Sequence, residues 1–165
     1  MSSAVTPGGG IDSETFRHVC AQFATGVAIA TVRAPDGTPH GLTVNSFSSV
    51  SLEPPLILIC IGDLCQILPF FRASAFFAVN FLGAAQQQLA VAFAERTDNR
   101  FEGTAWQPAA NGSPLLPESL GWMECRLEQA VHAGDHTILV GRVIAADAHP
   151  GAALLYFNGC YRKTV

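Results

Sequence analysis

The sequence predicts a mainly β fold: an antiparallel barrel with a few peripheral helices. Three observations carry this. Six or seven short apolar runs, many of them rich in β-branched residues, succeed one another along the chain. Turn signals join two pairs of them, at Asp36-Gly37 and Gly134-Asp135. Helical stretches are inserted between strands instead of alternating with them, which disfavours a parallel βαβ sheet.

Taken in order, residues 1–10 read as a flexible tail and residues 11–165 as one domain. Asp12 can cap a helix in which Phe16, Val19, Cys20 and Phe23 follow i, i+3, i+4, i+7 spacing, with Gly26 as a stop. "VAIATVR" and "HGLTVNSF" flank "APDGTP" as a predicted hairpin. "LILICI" is too short for a helix and reads as a central strand. "DLCQILPFFRAS" predicts a short helix disturbed or started by Pro69. "FFAVNFL", Phe76 to Leu82, is another strand. The helix "AAQQQLAVAFAER" follows, with Leu82, Gln86, Leu89 and Phe93 on one face. Residues 97–119 form a long connection, a length more often functional than not. "WMECRLEQAVHA" and "HTILVGRVIAADA" are long strands joined at Gly134-Asp135, and "LLYFNGCYRKTV" follows them.

Composition narrows the function classes. The chain has 165 residues, 49% hydrophobic and 13% charged, so sparse in charge that a partner subunit is expected to cover apolar surface. A net charge of −4 argues against nucleic acid or an anionic membrane as partner. No apolar run approaches transmembrane length, and "MSSAVTPGGG" lacks the basic region and apolar core of a secretory leader. The five cysteines are odd in number and scattered, with no CxxC pair, so a reduced cytoplasmic setting is expected.

Three segments carry candidate chemistry. The first, Thr43 to Ser51, sets Thr43, Asn45, Ser46, Ser48, Ser49 and Ser51 within nine positions. It reads either as a Ser-rich strand and bend, or as a lining for a phosphate and a heteroaromatic ring. In the second reading a turn near Phe47–Ser49 brings Asn45, Ser46, Ser49 and Ser51 to one rim. The second segment is "AGDHTILVG", where His136 follows a tight turn: a turn histidine bonded to Asp135, or a donor to a substrate amide. His132 lies four residues away, but the turn intervenes and no third ligand follows, which argues against zinc. The third is "DNRFEG", where Arg100 sits beside Phe101, on a solvated surface or against a phosphate. Neither GxSxG nor GxGxxG occurs.

The ordered set "FATGVAIATV", "GLTVNSFSSVSLEPPLILICI", "FFAVNFL", "RFEG", "MECR", "GDHTILVG" and "LLYFNGCYR" resembles the short-chain flavin reductase family, from about Phe16 to Arg162. The resemblance implies an FMN-binding split β-barrel and a homodimer with flavin near the subunit interface. It implies hydride transfer from NADH or NADPH to FMN or FAD, and release of reduced flavin to a separate monooxygenase. By motif, Thr43, Val44, Asn45 and Ser46 contact the isoalloxazine edge, and Ser49, Val50 and Ser51 line the ribityl chain and phosphate. Ala78, Asn80 and Phe81 form the opposite wall, and Arg100 and Phe101 close over the phosphate. His136 meets the nicotinamide and Tyr161 borders the same pocket. Two other readings stay open: a flavin-binding barrel used for storage or electron transfer without free reductase activity, and a structural dimer with no cofactor.

Overall fold

The computed structural model describes residues 10–95, 97 and 100–164. The tail expected over residues 1–10 lies outside this range apart from Gly10, as do Asp98 and Asn99 of "DNRFEG". Helix α1 (Ser13–Cys20) precedes β1 (Thr25–Gly26), β2 (Ala28–Arg33), β3 (Pro39–Val44), β4 (Ser48–Leu52) and β5 (Pro55–Gly62). Helix α2 (Leu68–Ala73) and β6 (Phe76–Phe81) follow, then a short 3-10 turn (Ala84–Gln86) leading into α3 (Gln87–Ala94). The remaining strands are β7 (Gln107–Pro108), β8 (Pro114–Leu115), β9 (Gly121–Ala133), β10 (His136–Ala148), β11 (Leu154–Phe157) and β12 (Cys160–Lys163).

Seven strands form one sheet in the order β3-β2-β6-β9-β10-β5-β4, antiparallel at every pairing. Chain length shows that this sheet is rolled. β3 and β4 lie at its two edges, which in a flat sheet would be about 29 Å apart. Only residues 45–47 join them, a reach of about 15 Å at full extension. The edges must therefore curl towards each other, and residues 45–47 cross the seam of a split barrel. The Ser46 hydroxyl fastens that seam, donating to Cys60 O (3.0 Å) and accepting from Cys60 N (2.9 Å) on β5.

The rolled sheet has a core on each side. Inside lie Ala28, Ala30, Val32, Val44, Phe77, Val79, Cys125 and Leu139 with Ile57, Ile59 and Ile61, and Leu68 and Phe71 of α2 pack against them. Outside, Val27, Ile29 and Leu82 are covered by Ala90 and Phe93 of α3 and by Leu116 and Leu154. Five of the six β2 residues are buried because the strand is covered on both faces, which explains its unbroken apolar run. β5 instead alternates, with Ile57, Ile59 and Ile61 inward and Leu56, Leu58 and Cys60 half-buried. It lies one strand in from the edge, not at the sheet centre as its apolarity suggested.

Local signals mostly act where expected. Asp12 Oδ1 accepts from Glu14 N (2.9 Å) and Thr15 N (2.8 Å), capping α1. Pro69 sits in the first turn of α2 and starts it. Gly37 takes φ +90 in the β2–β3 turn while Asp36 accepts from Thr38 N (2.9 Å). Gly26 does not stop α1: the helix ends at Cys20 and Gly26 lies in β1. The apolar stripe of α1 is not buried either, and Phe16, Val19 and Phe23 are all more than half exposed. The connection over 97–119 carries the small β7–β8 ladder.

Gly141 marks the tightest packing inside the barrel. A Cβ there would meet the Phe77 ring at 2.6 Å and Cys125 Cβ at 2.8 Å. Both neighbours are wholly buried and cannot retreat. Gly141→Ala is expected to destabilise the fold by about 1–3 kcal/mol, read as a lower urea midpoint with unchanged m. Burial pushes the Cys125 thiol pKa up to about 12, and Glu124 adds to it, so this cysteine stays protonated.

Candidate functional site

The hydroxyl-rich segment forms the barrel seam, and the seam uses part of its polarity internally. Thr43 Oγ1 donates to Ala90 O of α3 (2.7 Å), Ser46 is tied to Cys60, and Ser48 Oγ donates to Ser49 O (3.1 Å). Val44 points into the barrel core. The irregular link occupies Asn45–Phe47, and not the turn expected near Phe47–Ser49, because Ser48–Leu52 pairs with β5 as a strand. The ladder register slips between Ser49 and Ser51, so Val50 bulges out and is half exposed. The side chains of Asn45, Ser49 and Ser51 make no hydrogen bond to another described residue, which leaves them for a ligand or solvent.

Two clefts gather predicted residues. The first, of about 190 Å³, is lined by Val27, Thr43, Val44, Asn45, Ala94, Tyr156 and Tyr161. Its floor is β3, and its wall is the β11–β12 hairpin, where Tyr156 faces Tyr161 across the ladder. Their rings meet edge to face, with centroids 5.3 Å apart. Burial, with Tyr156 alongside, raises the Tyr161 phenol pKa and keeps it protonated as a donor. The cleft thus offers a free amide and two phenols around an apolar floor, a donor set suited to the polar edge of a planar ring.

The second cleft, of about 430 Å³, is lined by Gly62–Gln66, Arg100, Asp135 and His136. β10 starts at His136, which pairs with Gly62 of β5 and Ala133 of β9. The ring Nδ1 lies 2.7 Å from Asp135 Oδ1, and this bond lowers the Asp135 carboxyl pKa. The Nε2 edge lies over Gly62: a Cβ on that glycine would meet Nε2 at 3.7 Å, and the missing side chain leaves this edge open. Arg100 donates from Nε to Glu95 O (2.7 Å) and from Nη1 to Gly41 O (3.1 Å). It is anchored to β3 two residues before Thr43 and lines the cleft with its remaining donors. Phe101 is half-buried against Phe93 and Trp106, with centroids at 5.0 and 6.3 Å.

Burial and hydrogen bonding limit what the expected opposite wall can offer through its side chains. Ala78 and Asn80 are wholly buried. The Asn80 amide donates to Ile29 O and Thr31 Oγ1 (both 3.2 Å) and accepts from Leu116 N (2.9 Å), so it fastens segment 114–116 to the barrel. A buried amide satisfied in this way has little left for a ligand. Phe81 is half-buried and lines a separate apolar cleft of about 570 Å³ with Trp122 and Met123. Sequence reasoning missed Tyr156 and the Gly62-Asp63 end of β5. The available signal was a second Gly-Asp pair at a strand end, facing the one before His136.

The rolled antiparallel sheet, split along a polar seam and flanked by two rim clefts, defines a split β-barrel. Residues 20–164 match the flavin reductase like domain, and the chain belongs to that family. It is 39% identical over 155 residues to the FMN reductase (NADH) SmoA of Agrobacterium fabrum, covering 94% of this chain and 88% of SmoA. It is 37% identical over 150 residues to Stc3 of Rhizobium meliloti, the reductase subunit of stachydrine N-demethylase, covering 91% of this chain and 65% of Stc3. The chain spans 48% of another relative from that organism. Among solved structures, the NADH:FAD oxidoreductase SgcE6 of Streptomyces globisporus, in complex with NAD and FAD fragments, superposes with a TM-score of 0.89. It is 35% identical, over 99% of this chain and 98% of SgcE6. No helix among the described residues is long and apolar enough to cross a membrane.

Proposed function

We propose that this protein is an NAD(P)H:flavin oxidoreductase that takes hydride from NADH or NADPH and delivers reduced FMN or FAD to a separate monooxygenase. Membership of the flavin reductase family and likeness to relatives named for this activity support the reading. The observation that carries it in this chain is His136. With Nδ1 turned to Asp135, Nε2 is the ring atom left to the cleft. A nicotinamide carboxamide suits it in either protonation state, giving its N–H to a bare Nε2 or its carbonyl to a protonated one. A flavin carrier for storage or electron transfer has no use for such a residue.

A bound flavin supplies the hydride-accepting ring, and the protein supplies orientation and shelter from water. Asn45, Thr43 and Tyr161 would hold the ring edge in the smaller cleft, with the backbone of Val44 and Ser46 beside them. Ser49, Val50 and Ser51 on the exposed edge strand would follow the ribityl chain. Arg100 lines the larger cleft, is bonded to Gly41 O on β3, and would meet the phosphate, with Phe101 beside it in sequence. The test is NAD(P)H oxidation with each flavin in turn. Turnover with none of them, by a protein that still binds flavin, would favour the carrier reading; a protein that binds no flavin would be a structural dimer.

A homodimer is part of the same reading. α1 and the residues flanking it expose Ile11, Phe16, Val19 and Phe23, and the C-terminal end of the helix is tied to the β11–β12 turn by Asn158 N donating to Ala21 O (2.9 Å). The apolar stripe therefore ends beside the hairpin that carries Tyr156 and Tyr161, where a second subunit would bury it and cover the flavin. Sedimentation at micromolar concentration is expected to show a dimer, and Phe16→Glu to shift it towards monomer with weaker flavin binding. A stable wild-type monomer would count against the arrangement.

A further inference from the structure

The bond between His136 and Asp135 is too exposed to hold the ring firmly, since the Asp135 side chain is 95% solvent-accessible. A tighter constraint lies on the backbone either side of it. On the preceding side, Asp63 N donates to Asp135 O (2.9 Å). On the following side, the wholly buried Thr137 donates its hydroxyl to Asp63 Oδ1 (2.6 Å). The same hydroxyl accepts from Arg72 Nη2 of α2 (2.5 Å), so it donates and accepts at once. Asp63 Oδ2 also lies 2.9 Å from His132 Nδ1 on β9, where His132 pairs with Thr137.

One residue at the end of β5 therefore grips both neighbours of His136, and its carboxylate reaches the third strand as well. We propose that Asp63, acting through Thr137 and Arg72, is the positioning residue for His136, fixing where the imidazole projects into the nicotinamide cleft. The inference rests on the reading of His136 as the nicotinamide-facing residue. The chemistry favours a lock over simple packing. Valine has the shape of threonine and would fill the same space, yet this site places a hydroxyl between a carboxylate and a guanidinium. Position matters because a small displacement of an orienting group lowers the rate of a transfer that depends on alignment.

The test is a double-mutant cycle between Thr137→Val and His136→Ala, followed by stopped-flow reduction of bound flavin with NADH. T137V is expected to lower kcat/KM for NADH roughly five- to thirty-fold with flavin Kd unchanged, and Thr137→Ser to recover most of the rate. Adding T137V to H136A is expected to cost almost nothing further, because the lock acts only through the histidine. Fully multiplicative losses, or T137V kinetics like wild type, would overturn the proposal while leaving His136 its role. If H136A itself leaves flavin reduction unchanged, the underlying reading falls and the proposal with it. Should T137V fail to fold, as judged by its thermal melt, Asp63→Asn in the same cycle decides: non-additivity with H136A supports the lock and additivity overturns it.

Discussion

His136→Ala is expected to lower kcat/KM for NADH roughly five- to a hundred-fold, the loss of one orienting contact of about 1–3 kcal/mol, while flavin affinity stays nearly unchanged. The separation of effects follows from the two clefts. His136 opens on the cleft of Gly62–Gln66 and Arg100, whereas Thr43, Asn45 and Tyr161 line the other. The histidine starts β10 beside a glycine, and its side chain is 49% accessible, so its removal leaves neither a core cavity nor a buried polar group unpaired. Flavin titration of the variant, then stopped-flow reduction with NADH, separates binding from hydride transfer. Unchanged reduction would leave His136 a turn residue bonded to Asp135. Loss of flavin binding as well would make it structural.

How far the sequence revealed this molecule depended on whether a signal was local. The β2–β3 hairpin, the β9–β10 hairpin, the Asp12 cap and the Pro69 start of α2 are each written within a few neighbouring residues, and all are present. The rolling of the sheet is not local: it appears only once β3 and β4 are known to be opposite edges joined by three residues. That closure also decides which hydroxyls remain available. Ser46 and Asn45 are adjacent and equally polar in sequence, yet one staples the seam to Cys60 and the other stays exposed. The side chain of Asn80 is committed by the same kind of long-range closure. Its run "FAVNFL" carries no hint that a later segment, 114–116, would come to lie against its amide. The α1 stripe shows the opposite case: its periodicity correctly marked an apolar face, but periodicity does not say which partner covers it.

Arg100→Ala is expected to weaken FMN binding by about 1.5–3 kcal/mol more than it weakens riboflavin binding, roughly a ten- to a hundred-fold difference in Kd. The comparison is needed because Arg100 already has structural work. It joins Glu95 O to Gly41 O and so ties the end of α3 to β3, next to Thr43. Removing it releases both carbonyls, and that loosening should affect any flavin held against β3, with or without a phosphate. Only the charge-assisted contact distinguishes the two ligands. The two structural bonds also favour the phosphate role, since a guanidinium already anchored through Nε and Nη1 loses little further freedom when its remaining donors meet an anion. Arg100→Lys should recover part of the FMN preference through its charge, but not the fork that reaches both carbonyls and the ligand together. Equal losses of FMN and riboflavin would show a strap between α3 and β3 and nothing more, and a rise in NADH KM with neither flavin affected would assign Arg100 to the dinucleotide in the cleft it shares with His136.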